Sequence, residues 1–258
     1  MKIACLIKQV PDTETKIRIK VDASGIEETG IKYIISPYCE FAVEEAIKIK
    51  EKNPGSETTV ITVGPERGIE ALRTALAMGI DKAIHIDSTG VVLDSFVTAT
   101  VLAHAIKTGG FDMVFCGKQA IDFDNGQVAQ MVAELLDWPQ VMIIEKVDFT
   151  ADKKGVVATR RTSGGAKEIY DVTLPALFGC EKGLNVPRYA SLPGIMKAKT
   201  KPVERLKSSD LLGGATPLVS FTHYQLPPEK QAGKKIAGEP AQQAHELVRL
   251  LREEAKII

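Results

Sequence analysis

One segment of the chain combines residue types that can hold an anion. Residues 117–128 follow an apolar run that ends at Cys116, and they precede a helical pattern. Asp124 and Asn125 are helix-capping residue types, and Gly126 permits close approach of the backbone. Backbone amides at the start of a helix bind phosphate through hydrogen bonds and the helix dipole. The segment therefore predicts a phosphate site, and the alternative is an ordinary loop in which Asp124 caps its own helix.

A second segment carries apolar residues where a surface loop is normally polar. Leu192, Ile195 and Met196 lie in a proline-stiffened stretch that three alternating lysines follow. An apolar residue held in such a loop and ringed by charge is typical of a docking anchor. The alternative is that Leu192 and Met196 fill a small core of their own while the lysines are solvated.

The histidines predict no catalytic centre. His85 lies in a strand-like run, His104 lies in an amphipathic helical pattern, and His223 and His245 lie in an irregular C-terminal stretch. No spacing places a nucleophile or a carboxylate beside any of them. The Walker motif, the Gly-x-Gly-x-x-Gly fingerprint and the Gly-x-Ser-x-Gly elbow do not occur. A kinase, a P-loop ATPase, an ordinary dehydrogenase and a hydrolase are therefore disfavoured, and we expect no bond-making enzyme.

Composition and charge disfavour further classes of protein. The 258 residues include 33 basic and 33 acidic side chains, so no basic excess favours nucleic acid as a partner. No apolar run approaches the roughly 18 residues of a membrane helix, and the apolar N-terminal run is too short for a signal peptide. The cysteines lie far apart without a Cys-x-x-Cys pair, which predicts buried thiols and no metal site. We expect a soluble protein of the cytoplasm, or of the mitochondrial matrix in a eukaryote.

The elements that position these segments alternate along the first half of the chain. Strand-like runs cover residues 3–7, 58–63, 83–86 and 112–116. One helical pattern begins at Pro37 with Ser36 as its predicted cap, and others cover residues 68–78, 94–107 and 127–136. Such alternation predicts an α/β fold with a mostly parallel sheet covered by helices. Ligands of such sheets bind beyond the carboxyl ends of the strands, which here are residues 6–9, 63–65 and 117–128.

The second half of the chain does not alternate strand-like and helical patterns in this way. Strand-like runs over 141–149, 156–162 and 169–172 lack intervening helices and predict an added antiparallel hairpin. The chain is then irregular from Asn185 until a helical stretch over 240–255. We expect a domain over residues 1–185 and an arm over residues 186–258 that lies on a partner or on the chain's own surface.

Five segments together resemble one known family. They are Lys8–Asp12, Ser36–Ala46, Arg73–Gly79, Gly117–Asp122 and the stretch from Pro187 to Lys199. In this order they are similar to the motifs of the β subunit of electron transfer flavoproteins, and the similarity spans nearly the whole chain. The resemblance implies a Rossmann-like nucleotide-binding domain in a heterodimer, whose α subunit holds the redox-active FAD. The β subunit would bury an AMP of structural role.

The resemblance also implies site residues. The AMP pocket would use Leu6, Ser36, Pro37, Tyr38, Cys39 and Val63. Its phosphate would be wrapped by Gly117, Lys118, Gln119, Ala120, Ile121, Asp122, Phe123, Asp124, Asn125, Gly126, Gln127 and Val128. The family's recognition loop would correspond to Arg188, Tyr189, Ala190, Ser191, Leu192, Pro193, Gly194, Ile195, Met196 and Lys197.

Leu192 would be the anchor that enters a pocket on acyl-CoA dehydrogenases of fatty acid β-oxidation. Electrons would pass from the dehydrogenase flavin to FAD and then to the membrane's ETF-quinone oxidoreductase. The chain departs from relatives at Thr13, where several carry a tyrosine, and at Arg161, where some carry a glutamate. Gly126 and Val128 replace an asparagine and a threonine that bind phosphate in some members.

Two other readings remain open. Lys8–Thr13 and the pattern Asp124-x-x-Gln127-Val128 also occur in electron-bifurcating relatives, whose β subunit holds a second FAD in place of AMP. A stand-alone nucleotide-binding sensor of similar topology is the third reading, and it leaves the long C-terminal arm without a surface to occupy.

Overall fold

A computed structural model describes residues 1–230 and 232–258. Within these ranges, nine strands form one sheet and two short strands, β2 and β3, pair separately. The strands are β1 (Lys2–Leu6), β2 (Gln9–Pro11), β3 (Tyr33–Ile35), β4 (Glu57–Gly64), β5 (Lys82–Asp87), β6 (Met113–Gly117), β7 (Gln140–Phe149), β8 (Gly155–Arg161), β9 (Lys167–Thr173), β10 (Ala176–Cys180) and β11 (Val203–Lys207). The helices are α1 (Pro37–Lys52), α2 (Gly68–Met78), α3 (Ser95–Gly109), α4 (Val128–Leu136), α5 (Leu192–Thr200) and α6 (Pro240–Glu253).

The sheet order is β11-β5-β4-β1-β6-β10-β7-β8-β9. All pairings from β11 to β7 are parallel, whereas β8 and β9 add to β7 in antiparallel fashion. From β1 the chain moves outward through β4 and β5, then returns to build β6 on the other side of β1. The order therefore reverses between β1 and β6. The predicted α/β fold and its added antiparallel hairpin are confirmed.

Helices cover both faces of the sheet. Side chains of β1 alternate between two cores, because successive residues of a strand point to opposite faces. Ile3 and Cys5 pack with residues of α1 and α2, and Ala4 and Leu6 pack with residues of α3 and α4. All four cysteines are buried free thiols, as predicted.

Three elements after Thr173 differ from the sequence-based expectation. β10 was not expected, yet it lies inside the sheet between β6 and β7, and β11 extends the opposite edge beside β5. The expected loop around Leu192 is the helix α5. Its cap is Ser191, whose hydroxyl accepts a hydrogen bond from the Gly194 amide at 3.1 Å, and a proline in its first turn favours helix initiation.

The chain divides into two compact units. The first comprises Met1–Ile17 and Glu27–Thr222, and the second comprises Arg18–Ile26 and His223–Ile258. Helix α5 and strand β11 belong to the first unit. The second unit contains α6, which begins with a reciprocal capping box between Glu239 and Gln242. In the described ranges, no helix is both long and apolar enough to span a membrane.

Candidate nucleotide-binding site and docking segment

The candidate site lies where β1 and β6 end side by side. Leu6 pairs with Cys116 in parallel register, so both strands deliver their following residues to the same edge of the sheet. Val63 is the penultimate residue of β4, on the other side of β1, and shares this edge. This is the point of order reversal, where open parallel sheets bind ligands.

The start of α1 contributes an unpaired hydroxyl to this edge. Ser36 is the cap residue, and its amide donates to the Lys8 carbonyl at 2.9 Å, which ties the helix start to the chain after β1. A cap serine normally accepts a hydrogen bond from an amide in the first turn, but the Ser36 side chain makes no such bond. Its buried Oγ has no hydrogen-bond partner within the described part of the chain. Buried hydroxyl groups are normally paired, so this atom fits a ligand that accepts or donates a hydrogen bond there.

Gly117 brings the end of β6 against the first turn of α1. A Cβ atom at Gly117 would lie 2.9 Å from the backbone nitrogen of Cys39 and from Tyr38 Cβ. The next residue, Lys118, has its ammonium 4.8 Å from the centre of the Tyr38 ring and 2.7 Å from Glu181. The hydrogen bond to Glu181 holds the pKa of Lys118 above its ordinary value, so this cation stays charged. Burial raises the pKa of the Cys39 thiol, which stays neutral.

The loop over residues 118–127 is ordered by its own contacts. The Gln119 amide donates to Asp124 Oδ1 at 2.8 Å, and Asp124 and Gly126 both adopt left-handed backbone conformations, with φ of 52° and 57°. Asp124 does not cap α4, because the cap position is Gln127. The Gln127 side chain makes no capping hydrogen bond in the described ranges. The first amides of α4 therefore lack the side-chain partner that a helix start usually has.

Two aromatic contacts cover the outer part of this loop. Lys8 pairs with Asp122 at 2.6 Å and lies 4.9 Å from the centre of the Phe123 ring. The Phe123 ring in turn lies 5.1 Å from that of Phe221. Sequence reasoning did not select Lys8 or Phe221 as site residues. Lys8 lies two residues after the end of β1, within the strand end 6–9, and so carried a local signal. By contrast, nothing in the sequence pairs residue 123 with a residue about a hundred positions later.

Asp94 fixes the segment that leads to Phe221. Its carboxylate caps α3 by accepting from the Val97 amide at 2.7 Å, and it also accepts from the amides of Leu218 at 2.7 Å and Val219 at 3.1 Å. Burial raises the pKa of Asp94, but these backbone hydrogen bonds outweigh burial and the net shift is downward. The carboxylate thus connects the start of α3 to residues 218–219, which lead to Phe221 beside the 118–127 loop.

The predicted docking segment, residues 188–197, is anchored at one end and exposed beyond it. The Arg188 guanidinium bonds to Glu44 at 2.9 Å and to Glu51 at 2.6 Å, both on α1. By contrast, Tyr189 is 98%, Leu192 80% and Met196 66% exposed. The alternative in which Leu192 and Met196 fill a small core is therefore wrong.

Comparison with known proteins identifies the family. The family model described as "Electron transfer flavoprotein domain" matches residues 24–211. The chain belongs to the electron transfer flavoprotein family. Its similarity to an electron transfer flavoprotein subunit beta of Bacillus subtilis is 45% identity over 263 positions, with all of both chains covered. The mitochondrial subunit beta of Arabidopsis thaliana is 37% identical over the full length of both chains, and the subunit beta of Mus musculus is 41% identical over 97% of this chain and 96% of its own.

The resemblance drawn from the five motifs is thereby confirmed for this electron transfer flavoprotein chain. Four of those motifs lie at the β1–β6 edge, in α1 or in the exposed segment with α5. The fifth, Arg73–Gly79, lies on α2 and its end. Arg161, one of the departures, pairs with Glu145 on β7, so its charge is compensated within the chain.

Proposed function

We propose that this chain is the β subunit of a heterodimeric electron carrier that binds AMP at the β1–β6 edge. The observation that carries the proposal is the buried hydroxyl of Ser36, which has no hydrogen-bond partner among the described residues. It lies at the same strand edge as the start of α4, where no described side chain caps the helix. A hydroxyl group and the backbone amides at a helix start are donors that a nucleotide phosphate uses.

The donors at this edge are mainly backbone amides rather than unpaired cations. Both lysines at this edge are already neutralised, Lys8 by Asp122 and Lys118 by Glu181. The amides of α4 and the backbone at Gly126 are then the main positive groups toward the ligand. Backbone amides and the dipole at a helix start suit a phosphate-bearing ligand.

The partner of this subunit is an α chain that holds the redox-active FAD. Accepting and passing electrons is the chemistry that this FAD supplies when bound. Residues of the present chain bind the nucleotide, position the docking segment and contact the partner. Exposed apolar residues on α6, among them Leu247 and Val248, support the proposal that the C-terminal arm lies on the α subunit.

The electron donors are acyl-CoA dehydrogenases, and the acceptor is an ETF-quinone oxidoreductase. Support comes from the docking segment, where Leu192 extends into solvent from a segment that is anchored on α1. Several exposed apolar side chains grouped on one ordered segment, as Tyr189, Leu192 and Met196 are, mark a surface for contact with another protein.

The second candidate is a bifurcating carrier with FAD in the β site. The observation that favours it is the occurrence of Lys8–Thr13 and the Asp124-x-x-Gln127-Val128 pattern in this sequence. The stand-alone sensor is disfavoured, because β subunits match the chain over its full length.

Anaerobic mixing of the heterodimer with an acyl-CoA dehydrogenase and its substrate tests the carrier role. We expect the α-subunit FAD to be reduced by the dehydrogenase and reoxidised on addition of the quinone oxidoreductase. The α subunit without this chain is the control, and it should accept electrons far more slowly. Equal reduction of both samples, or no reduction of the heterodimer, would contradict the proposal.

A further inference from the structure

Helix α5 is held against α2 by one arginine. Arg73, on α2, donates from one guanidinium nitrogen to the Ala198 carbonyl at 2.6 Å and to the Lys201 carbonyl. Its side chain is half-buried between the two helices. Arg73 belongs to the only family motif of the five that neither the nucleotide site nor the docking segment contains.

The end of α5 needs such a donor. The last carbonyls of a helix lack intrahelical partners, and Pro202 forces the preceding Lys201 into extended backbone and stops the helix. Arg73 satisfies two carbonyls and places a positive charge at the negative end of the helix dipole. The Lys201 ammonium adds a second tie, because it donates to the Ile80 carbonyl at 2.6 Å.

The start of α5 is held by close packing against the same helix. A Cβ atom at Gly194 would overlap the Ala77 carbonyl oxygen of α2, so only glycine allows this approach. Ala198, one turn later, is buried on the same side. With this face fixed on α2, Leu192 and Met196 remain exposed.

We propose that Arg73 is a positioning residue for docking of the electron donor. It holds α5 in the orientation that presents Leu192 and Met196, without itself contacting the donor. This inference rests on the proposed docking role of residues 188–197. The partner's chemistry is that of an apolar pocket that receives the side chain of Leu192.

A double-mutant cycle between Arg73 and Leu192 tests the proposal. The variants are Arg73→Met, Leu192→Ala and the double variant, each purified as the heterodimer and assayed with an acyl-CoA dehydrogenase. We expect Arg73→Met to raise the KM for the carrier about tenfold, with little change in kcat, because a misplaced anchor weakens association. The double variant should match Leu192→Ala within about twofold, because Arg73 acts only through the anchor.

Two further variants separate positioning from general stability. Arg73→Lys keeps a donor and should recover part of the loss in KM. Arg205→Met removes an arginine from the neighbouring strand β11, whose guanidinium pairs with Glu66 at 2.7 Å, and should leave the KM unchanged. If Arg73→Met fails to fold, Gly194→Ala replaces it in the cycle, because it displaces α5 from the other end.

The outcomes distinguish this inference from the docking proposal. If Leu192→Ala changes nothing, docking through this segment is wrong, and positioning by Arg73 falls with it. If Leu192→Ala raises the KM while Arg73→Met and Gly194→Ala do not, only the Arg73 inference is overturned. Additive effects of Arg73 and Leu192 would also overturn it, since Arg73 would then act by another route.

Discussion

Gly117 and Cys39 lie so close together that no side chain fits between them. A Cβ atom at Gly117 would be 2.9 Å from the Cys39 backbone nitrogen. This contact seats the start of α1 on the end of β6, and it thereby brings the Ser36 hydroxyl to the edge where residues 117–128 begin. The geometry of the proposed nucleotide site thus depends on one glycine.

Gly117→Ala is therefore expected to destabilise the chain and to lower its nucleotide content. Overpacking of this kind costs about 1–3 kcal/mol. Urea unfolding and chromatography of released nucleotide measure the two effects. Gly25→Ala is the matched control, because no atom lies within 4 Å of a Cβ at that position. Equal stability and nucleotide content in the two variants would contradict the proposed role of the contact.

Gly126→Val should impair nucleotide retention more than it impairs folding. The residue has φ of 57°, and a branched side chain there strains the loop and obstructs close approach of a phosphate. Gly165→Val is a control of similar backbone strain, since Gly165 has φ of 81° and lies in the turn between β8 and β9. We expect the nucleotide content to fall in Gly126→Val and to stay normal in Gly165→Val. Normal content in both variants would mean that the phosphate binds elsewhere.

The local sequence pattern was sufficient to predict the helices and strands in the first half of the chain. Helix α2 has the predicted bounds, and the strands around it differ by about one residue at each end. Those runs are apolar, bounded by turn residues and joined by amphipathic helices, so each element carries its own signal. The strand ends that we propose as the nucleotide site followed from this alternation.

The elements after Thr173 carried weaker signals. β10 is a short run, and its place between β6 and β7 depends on long-range pairing that no local pattern encodes. β11 contains three charged residues among five, as an edge strand can. Helix α5 carried a related but weaker signal: it has a serine cap and a proline in its first turn, as α1 has, but Leu192 separates the two.

Within the site, two predictions from the sequence fared differently. Ser36 is the cap residue of α1, as expected, although its hydroxyl forms no capping bond. Asp124 was a candidate cap for α4, but its carboxylate accepts from Gln119 instead. Capping residue types can bond to several neighbours, and the backbone conformation of the loop decides among them.

Asp94→Asn should loosen residues 218–219 and remove a pH-dependent part of the stability. An asparagine keeps one acceptor oxygen, but it cannot accept hydrogen bonds from all three backbone amides that now donate to the Asp94 carboxylate, those of Val97, Leu218 and Val219. A loss of about 2 kcal/mol is expected for hydrogen bonds to a buried charged group. Hydrogen exchange at Leu218 and Val219 should accelerate in the variant. Unchanged exchange there would contradict the role given to Asp94.

The pH dependence of this difference has a definite sign. The folded pKa of Asp94 is lowered, so its contribution is complete above the unfolded value of about 3.9 and is lost as the pH falls through the folded value. The difference in unfolding free energy between the natural chain and Asp94→Asn should be constant from about pH 7 to 5, and it should shrink below about pH 4. A difference that grows on acidification would contradict the assignment.

Leu192→Ala should slow electron transfer from an acyl-CoA dehydrogenase while leaving the flavin spectrum intact. Truncation of a central apolar anchor costs about 2 kcal/mol, or roughly thirtyfold in the rate at limiting carrier. Leu135→Ala provides the same substitution at an exposed position of α4 and should have no such effect. Equal rates for the two variants would remove Leu192 from the docking surface.

The nucleotide content of the heterodimer tests the central claim most directly. The complex of this chain with its α subunit is purified and denatured, and the released nucleotides are quantified by chromatography. The proposal predicts one AMP and one FAD per heterodimer, with the AMP lost in Gly126→Val and the FAD retained. Two FAD and no AMP would contradict it, because the site at the end of β1 and β6 would then hold a second flavin.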